Sequence, residues 1–99
     1  MLDFNRIEGF QWDEGNARKS ENKHGVTQSE AEQVFFNHPL VLEDVKHSGG
    51  EPRFHALGET NDGRLLHVAF TLRDSQTMIR VISARPVNRK ERLFYGKAS

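Results

Sequence analysis

The sequence predicts an α+β fold: a single small domain with an antiparallel sheet of four to five strands, two N-terminal helices and a short C-terminal helix. Three observations carry that prediction. Two helix-capping patterns, Asp13 before Glu14 and Thr27-Gln28-Ser29-Glu30, stand near the N-terminus. Apolar residues alternate with period two from Arg53 to Ala84. Asn88-Arg89-Lys90-Glu91 then repeats the capping pattern near the C-terminus. Strands gathered after helices belong to α+β architecture, with the helices expected on one face of the sheet.

Taken in order, Met1 to Gly9 has no clear periodicity and is expected to fray at its start. Phe10 to Trp12 alternates apolar and polar, as a short strand does. The Asp13 carboxylate can accept from the free N–H groups opening a helix over Glu14 to Lys23, and Gly25 can end it in the left-handed conformation. Thr27 and Glu30 form a capping box, with Ala31, Val34 and Phe35 as the buried stripe of the helix they open. Pro39 closes that helix near Asn37, because a residue before proline avoids helical angles. Leu40 to Leu42 is a brief strand, followed by a polar turn through Lys46 to Gly50.

The alternating segment reads as a meander. Phe54 and Ala56 face one way and Arg53, His55 and Leu57 the other, until Asn61-Asp62-Gly63 reverses the chain. Leu66, Val68, Phe70 and Leu72 form an apolar face in the next strand, with Leu65, His67, Ala69, Thr71 and Arg73 opposite. After the turn Asp74-Ser75-Gln76, a last strand from Met78 to Ala84 sets Ile79 and Val81 against Arg80 and Ile82. Pro86 stops it, and the final helix carries Leu93 and Phe94 toward the core.

Composition narrows the function classes. Ninety-nine residues with 35% hydrophobic content fit one domain over residues 1–99 with a modest core. No cysteine is present, which removes disulfide scaffolds and thiolate metal sites. Neither a signal peptide nor a run of about 18 apolar residues is visible, so a cytoplasmic protein without a membrane contact is expected. Fourteen Lys and Arg balance fourteen Asp and Glu, yet basic residues outnumber acidic ones from Arg53 onward. The face away from the predicted core gathers Arg53, His55, His67, Arg73 and Arg80. Guanidinium groups in such a set can bind phosphate oxygens in pairs and stabilise charge developing at phosphorus. A solvated face, common in antiparallel sheets, is the alternative.

Specific motifs add to this reading. Phe10-Gln11-Trp12-Asp13-Glu14, Asn16, Lys23-His24-Gly25-Val26-Thr27, Glu30-Ala31 and Val34-Phe35 resemble the opening signature of the BrnT toxin family. Arg53-Phe54-His55-Ala56-Leu57-Gly58, Gly63-Arg64-Leu65-Leu66-His67-Val68, Arg80-Val81-Ile82-Ser83-Ala84-Arg85, Arg89-Lys90-Glu91-Arg92 and Tyr95 resemble its closing signature. The similarity runs from about Phe10 to Tyr95. It implies a bacterial toxin of RelE-like fold that cleaves RNA without metal or cofactor, through attack of the RNA's 2′-hydroxyl on the adjacent phosphorus. It also implies neutralisation by a BrnA-type antitoxin with a ribbon-helix-helix module, through which alone the complex would reach operator DNA.

Carried onto this sequence, the family pattern points to Arg64, Glu91 and Tyr95 as catalytic candidates, with Arg80 and Arg85 as phosphate-binding support. Lys23, Arg53, His55, His67, Arg73 and Arg89 complete the candidate RNA-binding set, and His24 can act as acid or base near neutrality. Each has a structural alternative. Glu91 fits the N3 slot of a capping box, Tyr95 can pack on the sheet, and Arg85 can pair with a surface carboxylate. Arg64 follows a turn, and Lys23 and His24 suit the negative end of a helix dipole. Tyr95 follows Glu91 by one turn on the same helix face, so the two are expected to reach one site. Two other functions remain open on the sequence: a non-catalytic module that only binds the antitoxin as co-repressor, and a zinc hydrolase using His24, His55 and His67.

Overall fold

A computed structural model describes residues 4–44 and 51–98 of the chain. The expected polar turn from Lys46 to Gly50 lies outside the described residues. After a 3-10 turn at Phe4–Arg6 come β1 (Gly9–Trp12), α1 (Glu14–His24), α2 (Gln28–Phe36), β2 (Leu40–Glu43), β3 (Arg53–Glu59), β4 (Leu65–Arg73), β5 (Met78–Pro86) and α3 (Arg89–Ala98). The five strands make one sheet in the order β1-β5-β4-β3-β2. Among the described residues no helix is long and apolar enough to cross a membrane.

Local signals act where the sequence places them. Asp13 accepts from Gly15 and Asn16 N–H, and Gly25 ends α1 at φ 65°. Thr27 and Glu30 complete their capping box. The turn before β4 uses Gly63 at φ 82°, a left-handed value that glycine adopts at little cost.

The sheet itself differs from the antiparallel expectation in being mixed. β2, β3, β4 and β5 form an antiparallel meander, but β1 runs parallel to β5. Alternation along a strand says which residues share a face and nothing of direction. The direction follows from α1 and α2, which carry the chain from one edge of the sheet to the other.

Both helices pack on the face formed by Ala56, Leu66, Val68, Phe70, Ile79, Val81 and Ala84, enclosing Val26, Ala31, Val34 and Phe35. Phe35 meets Phe70 edge-on at 5.0 Å, and Phe54 stacks on Phe70 at 5.4 Å. Buried Ser20 of α1 accepts from the Ala84 N–H at 3.1 Å, joining helix and strand inside the core. A buried strand donor would otherwise go unpaired.

Two further expectations are corrected. β5 extends past Ala84 to Pro86 and contains a bulge: Val81 pairs with Phe70 and Ser83 with Ala69, which leaves Ile82 as the extra residue. Because one extra residue reverses the alternation beyond it, Ala84 joins the core and Arg85 faces the opposite side. The helices, moreover, do not share one face. α3 lies over the open face, and Leu93 and Phe94 are 64% and 49% exposed instead of packing into the core. The core face is already covered by α1 and α2, so α3 has no apolar surface left to claim there.

Candidate active site

The open face is built from the alternate residues of three strands. Across it run the cross-strand rows Arg53, Thr71 and Arg80, then His55, Ala69 and Ser83, then Leu57, His67 and Arg85. Ala69 and Ser83 are the small side chains of the middle row, with Arg53 and Arg80 to one side of it and Arg85 to the other. α3 spans one end, and beneath it a groove of about 850 Å³ is lined by Leu42, Asp44, His55, Leu57, His67, Arg85, Asn88, Lys90, Glu91, Leu93 and Phe94.

Charge in the groove is organised around Arg85. Its guanidinium grips Glu91 with both terminal nitrogens, at 2.8 Å to Oε1 and 2.7 Å to Oε2. The same carboxylate caps α3: Oε1 accepts from Asn88 N–H at 3.0 Å, while Glu91 N–H donates to Asn88 Oδ1 at 2.8 Å. Glu91 thus fills the cap position and lines the groove together, two places the sequence reading left compatible. The Arg85 hydrogen bonds, aided by that of Asn88, hold its carboxyl at about 2, and Glu91 in turn raises the pKa of Arg85.

The imidazoles stand side by side, with His55 and His67 ring centroids 4.8 Å apart. Burial pushes the His67 pKa down to about 4, and the Arg85 charge adds to the effect, so the ring is neutral at neutral pH. His55 Nε2 meets Asp44 Oδ2 at 2.7 Å. The Nδ1 atoms of both rings are buried and find no hydrogen-bond partner among the described residues. The groove therefore offers a guanidinium for phosphate oxygens, and a carboxylate and a neutral imidazole for proton transfer.

Other candidates lie elsewhere. Arg80 sits at the far end of the face, 3.6 Å from Asp13, and Arg73 pairs with Glu51 at 3.3 Å. Arg53 shares the Arg80 row. Arg64 is on the helical side: it donates to the carbonyls of Gly25 and His24 at 2.8 and 3.1 Å and to Glu30 at 3.2 Å. Lys23 and His24 occupy the exposed last turn of α1, so His24 does not join His55 and His67. Among the described residues no three or more His, Cys, Asp or Glu side chains are placed to hold a metal ion. Arg89 is exposed at the start of α3.

Tyr95 and Glu91 do not line the same cavity. Tyr95 borders a smaller one of about 460 Å³, with Asn37, His38, Glu59, Thr60 and Asn61. Sequence reasoning missed Asp44 and Ser20. Asp44 follows a short strand with no motif around it, and Ser20 looks like any polar residue on an amphipathic helix.

Fold and groove together define the class: a small α+β protein presenting guanidinium, imidazole and carboxylate groups on a sheet face half covered by its last helix. The sequence profile described as ribonuclease toxin, BrnT, of type II toxin–antitoxin systems matches residues 12–91. The chain belongs to this family of ribonuclease toxins. Its fold is similar to the crystal structure of the Brucella abortus ribonuclease toxin BrnT, with a TM-score of 0.61 and 22% identity over 84% of this chain and 100% of that one. No curated protein matches the chain.

Proposed function

We propose that the chain is a metal-independent endoribonuclease whose reaction centre is the groove beneath α3. The observation that carries this reading is the joint placement of Arg85, Glu91 and His67 in one groove on the basic sheet face. In the proposed reaction the RNA 2′-oxygen bonds to the adjacent phosphorus and the bond to the 5′-oxygen breaks, giving a 2′,3′-cyclic phosphate and a 5′-hydroxyl. Arg85 binds the non-bridging oxygens and offsets the charge of the phosphorane, while Glu91 and His67 are placed for proton transfer. Arg53 on β3 and Arg80 on β5 extend the phosphate track toward the far end of the sheet face. Arg64 holds the end of α1 to the first turn of α2, and Tyr95 serves outside the groove.

The antitoxin partner that a type II system entails is proposed to be of the BrnA type, with a ribbon-helix-helix domain that supplies DNA binding. The site of action is proposed to be the bacterial cytoplasm, where the proposed RNA substrate is made. Inducing the chain alone and together with its antitoxin, followed by electrophoresis of total RNA, tests the reading. Arrest with RNA breakdown is expected, relieved by the antitoxin and abolished by Arg85→Ala. Purified protein is expected to cleave RNA in excess EDTA and to spare a fully 2′-deoxy substrate. Normal growth with intact RNA, despite soluble expression, would overturn it.

A further inference from the structure

In the resting state the terminal-nitrogen fork of Arg85 is occupied by Glu91. Both terminal nitrogens of the guanidinium are committed to the two carboxylate oxygens. A phosphodiester offers the same pattern, two anionic oxygens in one plane facing a planar fork, so the two anions compete for one donor pair. We propose that this ion pair is a latch opened by the substrate: the phosphodiester takes Glu91's place on Arg85, and the freed Glu91 carboxylate receives the 2′-hydroxyl proton. This inference rests on the ribonuclease reading above.

Three features of the groove support it. The capping box with Asn88 holds Glu91 at the start of α3 by contacts independent of Arg85, so the displaced carboxylate stays beside the phosphate instead of swinging into solvent. Leu93 and Phe94 are 64% and 49% exposed and are not locked into the core, so these two side chains offer little resistance to the small shift of α3 required. Losing the Arg85 hydrogen bonds also removes the largest cause of Glu91's low basicity, and the base strengthens only when substrate is present. As the 2′-oxygen pair bonds to phosphorus, its proton passes to Glu91. The 5′-oxygen departs with the electrons of the broken bond and takes a proton from water.

Carboxyl-carbon NMR of Glu91, assigned by its loss in Glu91→Gln, tests the latch in the whole chain with 2′-O-methyl oligouridylate as an uncleavable probe. The charged or titratable groups around Glu91 are Arg85 on β5, His67 on β4, His55 on β3, Asp44 after β2 and Lys90 on α3. In the free protein Glu91 should remain ionised down to pH about 4; in the saturated complex it should titrate in the ordinary carboxyl range, near 4.5. Glu91→Gln should bind the probe about tenfold more tightly, since one competing charge-assisted pair is gone. Probe binding that perturbs the groove while Glu91 keeps its low pKa, or unchanged affinity in Glu91→Gln, overturns the latch alone. Absence of any binding to the sheet face overturns the ribonuclease site with it.

Discussion

Arg64 shows how one side chain can satisfy a family pattern and yet stand apart from the groove. Its guanidinium spans two carbonyls at the C-terminus of α1 and the Glu30 carboxylate of the α2 capping box, so it joins two helix ends from the residue just before β4. The Thr27 N–H hydrogen bond is the main cause that lowers the Glu30 pKa, and the Arg64 contact lowers it further, so Glu30 stays charged as a partner. Arg64→Met is therefore expected to lower stability by about 1–3 kcal/mol, nearer the lower end because the site is partly exposed. In thermal unfolding that corresponds to a fall in Tm of about 4–8 °C per kcal/mol. RNA cleavage by the folded variant should keep its wild-type kcat. A loss of about 100-fold at unchanged fold would instead return Arg64 to the reaction, since that is the scale of removing a transition-state donor.

At the scale of elements, α3 and β5 decide the groove together. The bulge at Ile82 turns Arg85 toward His67, and the capping box of α3 sets Glu91 against it. This junction should be visible in the acid response. Glu91 is held at about 2 when folded, against an ordinary 4.5, so its stabilisation is complete above pH 4.5 and is lost as pH falls toward 2. His67 is held at about 4 against 6.5, so below pH 6.5 the unfolded chain takes up a proton that the folded ring refuses, and stability falls between pH 6.5 and 4. Urea unfolding across a pH series should show Glu91→Gln with a shallower decline below pH 4.5, and His67→Asn with a shallower decline between 6.5 and 4. Curves parallel to wild type in these windows would mean that the junction contributes nothing to stability.

Across the whole molecule, one core supports the face that carries the groove. Phe70 is fully buried and packed against Phe35 from α2 and Phe54 from β3, so it links the helical layer to the sheet whose other face carries the groove. Phe70→Ala is expected to cost about 3–5 kcal/mol through lost contact and cavity. That is a large share of the roughly 5–15 kcal/mol by which domains of this size are stable. A chemical denaturation midpoint close to wild type would show that the layers do not depend on this contact. Zero formal net charge for the chain accompanies an open face where Arg53, Arg80 and Arg85 are gathered, so the electrostatic signal for RNA is local and not global.

Element identity was legible because it rests on contacts within a few residues: Asp13 with Gly15, Thr27 with Glu30, Asn88 with Glu91, and the alternation that sends Phe54 and Ala56 inward and His55 outward. The same alternation placed Arg53, His55, His67, Arg73 and Arg80 on one face, and the motifs from Phe10 to Tyr95 pointed to the family. Periodicity carries neither strand direction nor the place of a bulge, so the parallel pairing of β1, the reversal at Ile82 and the facing of Arg85 toward His67 are visible only in the fold. The side of the sheet that α3 covers depends on how α1 and α2 had already filled the other. What the sequence determined alone is therefore the set of elements and the chemical groups they carry; tertiary structure decided which groups meet, because contacts such as Arg85 with His67, and the separation of Arg64 and Tyr95 from the groove, depend on how distant strands and helices stack.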